Sequence, residues 1–235
     1  MARPVDAKIE TLARWIYESR YPVFFTGAGI STESGLPDFR GPDGVWTRRD
    51  KGLPPRPMAV PWEAVQPNAA HLALVQLQEL RRLKFLISQN VDNLHLRSGI
   101  RPDLLAELHG NISRLRCTRC EQTVAQASGL TRCPCGGRLA SSVVDFGQSL
   151  PVKDLKLSYE HSRLCDLFVV VGSSLVVTPA ADMPAEALRA GARLVIINQG
   201  RTPFDSRAHL HFNEKIGEIL PRTVKKVKRL MGFFE

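Results

Sequence analysis

The sequence predicts a doubly wound α/β fold, a mainly parallel, Rossmann-like sheet with helices on both faces and a smaller module inserted into it. Three observations carry this expectation. Short apolar runs alternate with amphipathic stretches of helical period, each run ends in a polar or glycine-rich turn, and four of the five cysteines crowd between Cys117 and Cys135. Strand and helix signals in alternation imply parallel strands joined by helical crossovers, and the cysteine segment is the natural insertion. The chain has 235 residues, 43% of them hydrophobic, enough for a substantial core. The large domain is expected over residues 1–111 and 146–235, and the module over 112–145.

In chain order, residues 6–20 carry Ile9, Leu12, Ala13, Ile16 and Tyr17 at helical spacing, with Asp6 in position to cap. Tyr21-Pro22 ends that helix, and residues 23–26 read as a short buried strand. Residues 34–67 are rich in Gly and Pro and too aperiodic to assign. A second amphipathic helix is expected over residues 68–82, its apolar face drawn from Leu72, Val75, Leu77 and Leu80. Strands follow at 84–88 and 104–108. After the cysteine segment come a helix at 152–164, a strand at 167–171, a helix at 180–190, a strand at 193–197 and a closing basic helix at 214–231.

Five cysteines is an odd number, and their crowding favours a metal over a secreted disulfide framework. The first residues lack the pattern of a secretory signal, and no apolar run is long enough for a bilayer, so a soluble cytoplasmic protein with no membrane partner is expected. Association with a nucleoid or chromatin fits that expectation as well. The net charge of +9 predicts attraction to polyanions, such as nucleic acid, or to an acidic protein partner.

Ligands of doubly wound folds bind beyond the carboxyl ends of the strands. Here those ends read Thr26-Gly27-Ala28-Gly29, Gln89-Asn90-Val91-Asp92, His109-Gly110, Gly172-Ser173-Ser174 and Asn198-Gln199. Glycines let backbone amides approach a pyrophosphate, serines donate to phosphate oxygens, and an amide such as Asn198 suits ribose hydroxyls. The first loop is not the ordinary dinucleotide fingerprint, because Thr32 stands where a third glycine would fall. One such loop alone is also what any βα turn prefers; five polar strand ends together point to a ligand crevice. An imidazole at the same mouth, His109, has the ordinary pKa for proton abstraction near neutrality, although a lone histidine is more often structural.

Cys117-Thr118-Arg119-Cys120 is a C-x-x-C knuckle, and Cys133-Pro134-Cys135 offers two more thiolates at a spacing one residue short of the usual ribbon. A tetrahedral four-cysteine zinc site is the expectation, with a redox pair or unused thiols as the competing readings. Four thiolates leave no open coordination position, so such a zinc is structural. Arg114, Arg116, Arg119, Arg132 and Arg138 surround the module, a solvated basic face or a nucleic-acid surface. Cys165 reads as a core residue on an apolar helix face.

The motifs together resemble the sirtuin family. Residues 26–31 with Ser34-Gly35-Leu36-Pro37-Asp38-Phe39-Arg40-Gly41 are similar to its signature loop, and residues 89–95 to its second motif. His109-Gly110, the four cysteines, Val144-Asp145-Phe146-Gly147, Gly172-Ser173-Ser174-Leu175 and Ile197-Asn198 follow in the family's order. Residues 41–47 and 71–78 resemble the branch of nuclear, chromatin-associated members, without that branch's long module insertion and tails, as in a compact, prokaryotic-type relative.

The resemblance implies an NAD-dependent protein-lysine deacylase, acting on acetyl and, by branch, on long-chain acyl groups. Gly27, Ala28, Gly29, Thr32, Asp38, Phe39, Arg40 and Trp46 would line the NAD pocket, and Gln89, Asn90 and Asp92 would surround the nicotinamide ribose. Gly172, Ser173, Ser174 and Asn198 would hold the adenosine side, with Ile216 at the adenine. His109 would be the catalytic base and Asn90 its catalytic partner, while zinc binds the four cysteines. The products implied are nicotinamide, free lysine and O-acyl-ADP-ribose, from an acyl-lysine protein or peptide added as a strand in the interdomain cleft. Ser173 and Gln148 stand where many members have Thr and Glu. Two other functions use the same features: protein mono-ADP-ribosyl transfer, and NAD-responsive binding of nucleic acid or chromatin.

Overall fold

The computed structural model describes residues 4–233 apart from 42, 55–60 and 146, so Pro42 and Phe146 of the motifs above lie outside the described residues. The chain runs α1 (Pro4–Glu18), β1 (Pro22–Thr26), α2 (Val45–Asp50), α3 (Ala69–Glu79), β2 (Phe85–Ser88), α4 (Leu94–Ser98) and β3 (Leu105–Glu107). It continues through β4 (Arg114–Cys117), β5 (Thr123–Ala125), β6 (Leu139–Ser141), α5 (Val152–Leu164), β7 (Leu167–Val171), α6 (Met183–Arg189), β8 (Arg193–Ile197), β9 (Leu210–Phe212) and α7 (Ile216–Leu230). Six strands form a parallel sheet in the order β3-β2-β1-β7-β8-β9.

The period-2 alternation of strand side chains builds two cores. Phe24, Leu86, Val169 and Val195 point to one face and pack with Ile9 and Leu12 of α1, Leu74 and Leu77 of α3, and Ile219 and Val224 of α7. Phe25, Phe85, Ile87, Phe168, Val170 and Ile196 point to the other, against α5 and α6. Strands buried on both faces must be apolar throughout, which is why β1, β2 and β7 read as unbroken apolar runs. Each fully buried Phe or Leu contributes about 2 kcal/mol over leaving it exposed.

Several expectations are corrected. Asp6 does not cap α1, which starts two residues earlier at Pro4; it lies in the first turn and pairs with Arg222 of α7. Leu72 is exposed, because the buried stripe of α3 runs through Ala70, Ala73, Leu74 and Leu77, and Leu72 falls outside that stripe. Residues 180–190 are a 3-10 turn at Ala180–Asp182 followed by α6. Cys165 is a core residue but sits just past α5, its thiol donating to the Ser162 carbonyl at 3.1 Å. The basic face of α7 is partly balanced by α1, since Arg222 meets Asp6 and Lys226 meets Glu10. No helix among the described residues is long and apolar enough to cross a membrane.

The antiparallel sheet β5-β4-β6 falls inside residues 112–145. Its core is Cys117, Cys133 and Leu139, with Leu115 and Val124 packed against them. So few apolar side chains cannot hold three short strands together without a further constraint.

Candidate active site and cysteine centre

Chain order reverses around β1: the chain first builds β2 and β3 on one side and later β7, β8 and β9 on the other. A crevice therefore opens between the carboxyl ends of β1 and β7. Gly29 donates to the Gly172 carbonyl at 2.8 Å, and Gly172 donates to Ile197 at 2.9 Å. A Cβ on Gly172, whose φ is +68°, would lie 2.4 Å from the Ile30 nitrogen, and one on Gly27 would lie 2.7 Å from the Gly172 carbonyl oxygen. The glycines thus serve first to let two strand ends close on each other.

A polar network covers one half of the crevice. Asp92 accepts from the Ser31 hydroxyl at 2.6 Å and from the Leu94 amide at 2.9 Å, and the Asn90 side chain donates to Ser31 at 3.2 Å. Beneath it the Thr26 hydroxyl meets His95 Nε2 at 2.8 Å, and the ring of His71 lies 5.1 Å from that of His95. Burial pushes His95 down to about 4 and His71 to about 3, the neighbouring His95 adding to the second shift, so both rings are neutral.

His109 follows β3 and lies 2.8 Å from the Gln89 carbonyl through Nδ1. A carbonyl only accepts, so Nδ1 carries the proton and Nε2 presents a lone pair. Burial lowers the pKa of His109, which keeps the ring unprotonated near neutrality. Gln89 is itself held by a 2.7 Å hydrogen bond from the Ser173 hydroxyl, which ties the end of β2 to that of β7. Glu107, just before His109, is pushed up to about 7 by burial, against the hydrogen bond from Asn111. On the far side of the crevice, Val144 donates to the His109 carbonyl at 2.9 Å, so the extended chain leaving the module runs past the histidine.

The crevice holds a cavity of about 520 Å³. Of the residues predicted for a site, Ala28, Gly29, Asp38, Phe39, Arg40, Trp46, Gln89, Asn90, Asp92, His109, Gly172, Ser173, Ser174 and Asn198 line it. Gly27, Thr32 and Ile216 do not. Gly27 is packed against Ser173, the Thr32 hydroxyl turns back to the Gly29 carbonyl, and Ile216, the first residue of α7, is buried in the core. Phe39 and Trp46 stack 6.1 Å apart at the mouth, and Arg49 lies over Trp46.

Trp62, Val176, Val177 and Arg201 also line the cavity, and sequence reasoning did not find them. Trp62 belongs to the segment left unassigned and is brought in because Arg97 of α4 grips the Val65 carbonyl at 2.8 Å. Val176 and Val177 are apolar residues left half-exposed after a strand, the one signal that marks them.

The four cysteines of the module converge, their Sγ atoms all within 4.8 Å of one another and adjacent pairs 3.4–3.6 Å apart. A tetrahedral zinc with Zn–S bonds of about 2.3 Å requires sulfur separations of about 3.8 Å, so the donor set suits zinc. The amides of Cys120 and Arg119 pull the Cys117 thiol down to about 6, toward the thiolate a metal needs, whereas Cys120 and Cys133, crowded by the other sulfurs, are pushed up.

Comparison with known proteins agrees with this arrangement. Residues 55–179 match the model of the Sir2 family. The chain is 42% identical to the NAD-dependent protein deacetylase SRT1 of Oryza sativa subsp. indica over 91% of its length, spanning only 47% of that protein. Against NAD-dependent protein deacetylase 1 of Bradyrhizobium diazoefficiens the identity is 39%, covering 94% of this chain and 96% of the relative. Among solved structures, Sir2Af2 bound to a myristoylated histone peptide superposes with a TM-score of 0.72 at 35% identity, over 97% of this chain and 99% of that one. With a family model matched over half the chain and a bacterial relative matched almost end to end, the protein belongs to the Sir2 family.

Proposed function

We propose that the protein is an NAD-dependent protein-lysine deacylase with His109 as its base. The observation that carries this reading is the half-buried, neutral His109, its Nδ1 proton fixed on the Gln89 carbonyl, at the wall of a cofactor-sized cavity at the topological switch point. The residues present suit NAD: a polar network of Asn90, Asp92 and Ser31 at one half, and Gly172, Ser173, Ser174 and Asn198 at the other.

When bound, NAD supplies a ribose carbon that turns electrophilic as its bond to nicotinamide breaks. Asn90 and Asp92 are placed to orient that half, and Ser173 holds Gln89 so that the Gln89 carbonyl keeps His109 in one tautomer. His109 Nε2 is then free to take a proton from a ribose hydroxyl, which readies that oxygen to receive the acyl group. Val143–Asp145 offers an extended backbone on which an acyl-lysine peptide can add as a strand, and pairing through the main chain demands little sequence. The cysteines hold zinc as a structural clamp, with no open position for chemistry.

Val143, Val144, Leu150, Trp62, Val176 and Val177 give the cavity a largely apolar wall, which favours long acyl chains alongside acetyl. A four-thiolate metal set suits a reducing compartment such as the cytoplasm. Exposed Arg119, Arg132 and Arg138 on the module favour acidic proteins or nucleic acid as accessory partners, which a salt titration of binding would test.

The test is mass spectrometry of acetyl-lysine and myristoyl-lysine peptides incubated with the protein, with and without NAD. Acyl loss only with NAD, matched by O-acyl-ADP-ribose, is the expected result. Mass added to an acceptor protein without acyl loss from either peptide would replace this reading with ADP-ribosyl transfer.

A further inference from the structure

Beyond β8 the chain turns through Asn198-Gln199-Gly200-Arg201-Thr202. The Asn198 side chain folds back to donate to the Gly200 carbonyl at 3.1 Å, and its Oδ1 is left to accept from a ligand hydroxyl. A Cβ on Gly200 would meet only Asn198 Nδ2, at 3.7 Å, so there is open space beside the amide. The one carboxylate near in sequence, Asp205, is turned inward and spent on Thr202, which gives it a backbone bond of 3.1 Å and a hydroxyl bond of 2.7 Å. Arg201 forms no ion pair among the described residues. It lines an open cavity with Arg40, Ser174, Val176, Val177 and Thr178 that adjoins the crevice, and all six of these residues also belong to the crevice lining. Arg40 reaches Asp50 at 3.6 Å, both of them largely exposed.

Dinucleotide sites commonly choose between unphosphorylated and 2′-phosphorylated ligands by the charge beside the adenosine ribose. A carboxylate there binds the hydroxyls and repels a phosphate, whereas an arginine accepts the phosphate through paired charge-assisted bonds. This loop has the second composition: an amide to hold a ribose, space at Gly200 and, among the described residues, no free carboxylate in the loop and no ion pair to the guanidinium.

We propose that Arg201 is the seat for a phosphate on the adenosine ribose, so that the cleft accepts 2′-phosphorylated dinucleotides as well as NAD. The proposal rests on the assignment of the Asn198 end of the crevice to adenosine. It makes the phosphorylated dinucleotide a competing ligand for the deacylase.

The test is calorimetric titration of the protein with ADP-ribose and with ADP-ribose 2′-phosphate, repeated with Arg201→Ala and Arg201→Lys. The two ligands should bind the unmodified protein within about tenfold of each other. Arg201→Ala should lower the affinity ratio of phosphorylated to unphosphorylated ligand by tenfold or more, and Arg201→Lys should lower it less, since an ammonium keeps the charge but loses the fork. Binding of ADP-ribose with the phosphorylated form excluded a hundredfold would overturn the inference and leave the deacylase reading standing. An equal loss for both ligands in Arg201→Ala would assign the arginine to the diphosphate and overturn it too. Failure of ADP-ribose to bind at all would remove the NAD reading and this inference with it.

Discussion

At the scale of single residues, the proposed base His109 rests on burial and one hydrogen bond. The Gln89 carbonyl holds the Nδ1 proton, and the lowered pKa keeps Nε2 unprotonated. His109→Ala should therefore reduce kcat for acyl transfer about 100- to 10,000-fold, with circular dichroism unchanged. A base acts when unprotonated, so activity should rise with pH through an acid limb centred below the ordinary histidine value and then level off. A pH profile of kcat/KM checks this, and a limb at or above the ordinary value would mean that another group carries the proton. His109 was legible in the sequence because it directly follows an apolar run, where the fold opens its crevice. Trp62 was not, since its segment is positioned by long-range contacts with no local pattern, the grip of Arg97 on Val65 and the packing of Val65 on Leu36 and Leu94.

At the scale of elements, the strand ends depend on close backbone approach. Gly172→Ala must place a Cβ against the Ile30 amide at a positive φ, which should cost about 2–4 kcal/mol and lower the melting temperature by roughly 5–15 °C. Calorimetric scanning measures it, and a shift under 2 °C would show that the loop relaxes freely. The module depends on its metal for want of a core. Cys120→Ser should bind less zinc than the unmodified protein when both are measured by elemental analysis, and should open residues 114–141 to protease, while the parallel sheet keeps its far-ultraviolet signal. Long elements with sustained periodicity were readable from sequence, α5 to the residue and α1 and α7 to within two residues at each end. The short α2 and α4 and the three-residue β9 were not, because one turn of helix or one ladder step carries no period; tertiary contacts hold them. The face of α3 was misread at Leu72 because apolar residues nearly surround that helix.

At the scale of the whole molecule, the order of strands places the crevice, and the crevice explains why polar residues gather after the apolar runs. That much followed from alternation alone; the close packing of Gly27, Gly29 and Gly172 on one another did not, because it joins segments about 145 residues apart in a way only the register of β1 on β7 reveals. Buried titratable groups also set an acid limit on the fold. His71 and His95 stay neutral when folded, down to about 3 and about 4, but protonate near 6.5 when unfolded. The unfolded chain thus binds more protons below about 6.5, and each histidine removes about 1.4 kcal/mol per pH unit as pH falls toward its folded value. Glu107 acts the other way, since its raised value of about 7 lets the folded state hold a proton between about 7 and 4.5. Urea denaturation should show stability falling by about 1.4 kcal/mol per pH unit from about pH 6 to 4, two histidines against one carboxyl, and a flat profile would contradict the buried neutral pair.

The central claim, that a neutral His109 at an NAD crevice drives acyl transfer, is tested most directly by following an acetyl-lysine peptide and NAD by mass spectrometry with the unmodified protein and with His109→Ala. Nicotinamide, free lysine and O-acetyl-ADP-ribose formed in equal amounts, and lost together in the variant, is the predicted result. Undiminished product formation by His109→Ala would contradict the account.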